Sequence, residues 1–154
     1  MPLSNIPRLL AIAILSLLAA ATVSAGEGDE GLDLEQYRGK VVVVDFWASW
    51  CVPCRRSFPW MNAMQAKYAD DGLAIVAINM DAESEEAATF LRDYPADFEI
   101  LYDPTGDIAK QFGVIAMPSS YVFDREGNQV ARHLGFKVRQ QDEYETLLME
   151  TLSQ

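Results

Sequence analysis

Outside the N-terminus, Val41-Val42-Val43-Val44 is an unbroken β-branched run, continued through Asp45 by Phe46 and Trp47. A continuous β-branched run, rather than an alternating one, predicts a strand buried on both faces in a sheet covered by helices. Ala48-Ser49-Trp50 reads as the turn out of it, and a helix is expected from near Cys51. Cys54, Phe58, Met61, Met64, Gln65 and Tyr68 then recur at spacings of three and four, a mostly apolar helical face. Pro59 lies inside that helix, where its missing N–H predicts a kink, and Asp70-Asp71-Gly72 ends it. Leu73 to Ile78 repeats the buried-strand pattern. Ser84, Glu85 and Glu86 open a second helix, their acidic side chains suiting its positive end, and Pro95 stops it. Phe98 to Tyr102 reads as a short strand, and Asp103-Pro104-Thr105 as the start of a helix ending at Gly113. Ser119 to Asp124 and Gln129 to Leu134 form a hairpin around residues 125–128, and a last helix runs from about Gln140 to Leu152 with Tyr144, Leu147, Leu148 and Thr151 inward. The order of elements predicts an α/β fold, a central mixed sheet with helices on both faces.

The ends of the chain change this picture little, except at the start. Arg8 precedes an uncharged stretch from Leu9 to Val23, which closes on the small residues of Val23-Ser24-Ala25. Basic, apolar and small-residue regions in that order read as a secretory signal over residues 1–25, with a retained membrane anchor as the alternative. The stretch is somewhat short for a span, which needs ~20 apolar residues. Residues 26–33, Gly-rich and charged, read as a linker, and 34–154 as one domain. The expected location is periplasmic or otherwise extracytoplasmic. Net charge is −11, and losing Arg8 with the first 25 residues would take away one positive charge and leave −12. A surface so acidic argues against nucleic acid, which is bound by clustered Lys and Arg.

The chain has two cysteines, Cys51 and Cys54, separated by Val52 and Pro53. A bridge between them closes a very small loop and constrains the unfolded chain little, so a structural staple is the weaker reading. A closed zinc site needs four ligands, and the only histidine is His133. No metal and no cofactor is therefore expected. At a helix N-terminus the partial positive charge favours a thiolate at Cys51, the attacking species in disulfide exchange. Cys54, one turn on, can then resolve the mixed disulfide. A lone His on a strand reads as structural, and Met61, Met64 and Met80 read as core. Two competing readings fit the residues less well. A copper-binding thiol chaperone for metal-site assembly would want a wider Cys spacing and a nearby His. A peroxiredoxin-type peroxidase would want a Thr two residues ahead of its Cys, where Ser49 stands.

The stretch Val44-Asp45-Phe46-Trp47-Ala48-Ser49-Trp50-Cys51-Val52-Pro53-Cys54 resembles the thioredoxin active-site segment, and Pro59 falls where thioredoxins carry their helix proline. Gly113-Val114-Ile115-Ala116-Met117-Pro118 resembles the family's second signature, which implies a cis peptide bond before Pro118 facing the redox pair. With the signal-like segment and the longer stretch from Asp81 to Asp103, the chain is most similar to exported TlpA/ResA-type thioredoxins. The resemblance implies a thioredoxin-like fold and a protein-disulfide reductase. It implies Cys51 and Cys54 as the redox pair, Asp45 as acceptor of the Cys54 proton, and Trp50, Pro53, Met117 and Pro118 along the substrate groove. The implied partners are protein disulfides or thiols and a membrane electron donor. Independently of the resemblance, Asp45 follows four valines and precedes two aromatics, so its carboxyl should be buried and its pKa raised.

Overall fold

The computed structural model describes residues 31–154; the signal-like segment and most of the linker stretch lie outside the described residues. A five-stranded mixed sheet has the order β3-β2-β1-β4-β5. Its strands are β1 (Val41–Trp47), β2 (Leu73–Asn79), β3 (Glu99–Tyr102), β4 (Ser119–Phe123) and β5 (Gln129–Leu134). The valine-rich strand takes the centre, parallel to β2 with Val44 opposite Val76 and antiparallel to β4 with Val44 opposite Tyr121. Parallel β3 and antiparallel β5 close the two sides.

Side chains of a strand alternate between its two faces. Val41, Val43 and Trp47 join one cluster, with Cys54, Phe58, Met61 and Met64 of α1 (Cys54–Tyr68), Ala87 and Phe90 of α2 (Ser84–Asp93), and Leu148 of α4 (Gln141–Leu152). Val42, Val44 and Phe46 join the opposite one, with Tyr37 of a 3-10 turn and Ile108 and Ala109 of α3 (Asp107–Phe112). Helices thus cover both faces, as the unbroken apolar run requires. Aromatic contacts lock each layer: Trp47 packs on Phe58 with ring centroids 4.9 Å apart, and Phe46 on Phe112 at 5.3 Å.

Three boundaries differ from the sequence reading. The first helix begins at Cys54 rather than near Cys51. Residues 51–53 form a turn whose hydrogen bonds reach back three residues, from Cys54 N to Cys51 O (3.1 Å) and from Arg55 N to Val52 O (3.2 Å). Pro53, with φ −61° and no N–H to leave unpaired, sits at the helix entrance. The third helix begins at Asp107, four residues after Asp103, whose carboxylate instead accepts from Asp107 N (2.9 Å) and Ala109 N (2.8 Å) and so caps it. Gly113 ends it with φ +62°, a left-handed conformation that glycine adopts without cost. Finally, Leu32 is buried and its N–H reaches Gln111 Oε1 (3.1 Å), so packing begins two residues ahead of the expected domain start. Among the described residues no helix is long and apolar enough to cross a membrane.

Candidate redox site

Strand β1 delivers the chain to one end of the sheet, where three segments converge. Ala48 is buried, and Ser49 is held by the carboxylate of Asp81, two residues past the end of β2. Asp81 accepts from Ser49 N (2.9 Å to Oδ2), Ser49 Oγ (3.0 Å) and Asn79 Nδ2 (2.8 Å). The turn carrying Trp50 and Cys51 is therefore tied to the neighbouring parallel strand. Cys51 and Cys54 form a disulfide. Both are buried in this oxidised form, at 3% and 0% exposure. Exposure falls instead on their neighbours Trp50 (65%) and Val52 (53%).

The Met117–Pro118 bond is cis. Because Ser119 pairs with Phe46, Pro118 lies at the end of β4 that flanks the end of β1 from which the cysteines follow. The loop is held there by Ser119 Oγ on Ala116 O (2.6 Å) and by Gly135 N on Pro118 O (2.8 Å). Ile115 on this loop is 79% exposed, while Met117 is partly buried against both core clusters. Trp50 and Val52 thus offer apolar surface beside the disulfide, and Ile115 offers it on the cis-Pro loop. Arg55 and Arg56, by contrast, are simply exposed.

Asp45 shares the face of Val43 and Trp47, beneath α1, and is 1% exposed. Desolvation pushes its carboxyl up to about 7, only partly offset by the Ser120 hydroxyl, which donates to Oδ1 at 2.5 Å. The other oxygen, Oδ2, has no protein partner. Ser57, one turn into α1, donates to Cys54 O (3.1 Å) and lines a cavity together with Asp45. Trp47 is fully buried core, as expected.

Three polar residues escaped the sequence reading, Asp81, Ser57 and Ser120, and His133 was read there as structural only. Asp81 could have been noticed as a carboxylate just beyond a buried strand. Ser120 and His133 become informative only once the register places Ser120 opposite both Asp45 and His133.

The descriptor of the AhpC/TSA family matches residues 18–132. The chain is 32% identical over 114 residues to the thiol-disulfide oxidoreductase ResA of Bacillus thuringiensis, covering 73% of this chain and 66% of that one, just under two thirds. It is 34% identical over 117 residues to the thioredoxin-like protein YneN of Bacillus subtilis, covering 74% of this chain and 68% of that one. Among solved structures, a Chlorobium tepidum protein named for thiol:disulfide interchange (DsbE) superposes with a TM-score of 0.76 at 44% identity, covering 79% of this chain and 86% of that one. With a five-stranded mixed sheet, a Cys-x-x-Cys disulfide where its central strand meets a helix, and these matches, the chain belongs to the AhpC/TSA family, in its thioredoxin-like, TlpA/ResA-type branch.

Proposed function

We propose that this protein is an exported thiol–disulfide oxidoreductase that reduces protein disulfides through Cys51 and Cys54. The observation that carries the reading is the Cys51–Cys54 disulfide at the junction of a buried central strand and a helix, flanked by exposed Trp50 and Val52. The names of the ResA and DsbE relatives support the same chemistry. Export rests on the segment from Arg8 to Ala25, and fits a periplasmic partner and a membrane electron donor.

In the reduced protein the Cys51 thiolate attacks one sulfur of a substrate disulfide. A mixed disulfide forms and the first substrate thiolate leaves. Asp45 takes the proton of the Cys54 thiol, and the Cys54 thiolate attacks Cys51 Sγ, releasing the second substrate thiolate. The protein is left oxidised and the substrate carries two thiols, so the electron pair has moved from protein to substrate. Trp50, Pro53, Met117 and Pro118 line the docking groove, where an extended substrate segment pairs with the Met117 backbone in strand fashion.

Direction follows from what stabilises the thiolate. Val52 is apolar and Pro53 lacks an N–H, so neither adds a charge or a donor to Cys51. The helix end and Arg55 remain, which supports a thiolate without the unusual stabilisation a strong oxidant needs. The expected potential is about −200 to −270 mV, measured by equilibrating the protein with glutathione buffers. A value more oxidising than roughly −150 mV overturns the reducing assignment in favour of disulfide formation.

A further inference from the structure

Asp45, Ser120 and His133 stand in one row across β1, β4 and β5, because Asp45 pairs with Ser120 and Ser120 with His133. Residues directly opposite in antiparallel strands share a face, so all three side chains rise from the side covered by α1 and α4. Two strand spacings, roughly 10 Å, separate Asp45 from His133 along the row. Above it the helices leave a cavity of about 30 Å³, lined among others by Asp45, Ser57, Trp60, Ser120, His133 and Tyr144. One water needs ~10–15 Å³ of such space together with polar partners. Two buried polar atoms of the lining residues have no protein partner, Asp45 Oδ2 and His133 Nε2.

His133 also faces the other way. With Tyr144 it lines an open depression on the surface, beside Arg132, Lys137, Gln140 and Glu143. The imidazole therefore forms part of the wall between the inner cavity and solvent. We propose that Asp45 exchanges its proton with solvent through His133, by way of water held between Asp45 Oδ2 and His133 Nε2. The proposal rests on the reading that Asp45 takes the Cys54 proton, and extends it to where that proton goes. His133 touches neither sulfur; it is a positioning residue acting through Asp45.

The step balances without a further reactant. The Cys54 thiol gives its proton to the Asp45 carboxylate, which becomes neutral. The water passes a proton from Asp45 to one imidazole nitrogen, and the imidazolium releases a proton to solvent, restoring both groups. Burial lowers the His133 pKa, keeping the ring neutral and able to accept. Tyr144 packs against it from α4, tilted, with ring centroids 4.7 Å apart. The charged groups at its outer side are Lys137 beyond its strand and Glu143 on α4; Arg132, next to it on β5, turns its guanidinium to the other face, over the Tyr121 ring, and across the cavity the ionisable group is Asp45.

The test uses the full chain carrying His133→Phe, His133→Gln or Asp45→Asn, with folding checked by circular dichroism. The readout is the rate at which Cys54 resolves a mixed disulfide between Cys51 and a small aromatic thiol, from pH 5.5 to 8.5 in weak buffer. Both His133 variants are expected to slow resolution ~10-fold, a modest share of what proton-transfer catalysis supplies, and added imidazole should restore the rate. Gln keeps a hydrogen-bonding group but cannot carry the proton, so a wild-type rate and profile in His133→Gln overturns the relay even if His133→Phe does not fold. If that result comes with a slowed Asp45→Asn, only the relay falls. An unchanged Asp45→Asn overturns the role of Asp45 itself, and the relay with it.

Discussion

At the scale of single residues, the informative side chain is Asp45. A carboxyl raised to about 7 by burial binds its proton more tightly in the folded chain than in the unfolded one. Between the unfolded value near 4 and the folded value near 7 the native state holds more protons, so this group's contribution to stability falls as pH rises through that window, and is level above it. Asn has no such dependence. The stability of Asp45→Asn relative to wild type should therefore rise by about 2–4 kcal/mol between pH 4 and pH 8, read from urea unfolding at each pH. A difference that stays flat across the window would show that Asp45 is not buried as a titrating carboxyl. The burial itself was legible, since the residue interrupts an otherwise apolar run. The Ser120 hydroxyl that donates to it lies 75 positions away and was not.

At the scale of elements, the turn from β1 into α1 is built by a neighbour rather than by its own residues. Its backbone bonds within residues 48–54 are short-range, and Asp81 supplies the anchor from the strand alongside. Removing that carboxylate leaves the part-buried Ser49 N–H and the buried Asn79 amide without their acceptor. Asp81→Ala should cost about 2–3 kcal/mol, in the range for hydrogen bonds to a charged group, seen as a lower denaturant midpoint with an unchanged slope. Asp81→Asn should recover part of it. The strand was readable because four consecutive valines have few other uses. The helix start was not, because turn and first helical turn share the same residue types, and the Pro53 entrance resolves the difference by sterics.

At the scale of the whole molecule, Arg125 ties the far end of the sheet together. Its guanidinium donates to Gly39 O (2.8 Å), Asp71 O (2.9 Å) and Leu152 O (2.9 Å), joining the entry to β1, the turn after α1 and the end of α4. It follows the end of β4 opposite to Pro118, so its effects should separate from those of the redox site. Arg125→Ala is expected to lower stability by about 2 kcal/mol, a typical loss for hydrogen bonds to a charged group, while the glutathione-equilibrium potential of the cysteine pair stays at its wild-type value. A shift in potential of the folded variant would mean that the two ends of the sheet are coupled.

Features set by neighbouring residues were legible along the chain. The order of strands and helices follows from apolar periodicity, and the exchange chemistry from two cysteines one turn apart. The burial of Asp45 follows from its apolar neighbours. Which distant residues meet depends instead on how the segments pack. Strand pairing brings Ser120 and His133 into line with Asp45, and the parallel neighbour brings Asp81 to Ser49. The structure also showed that the oxidised pair is buried beneath its exposed neighbours. Register and layer packing arise from contacts between segments far apart in the chain, and a one-residue slip in β5 would turn His133 to the opposite face of the sheet.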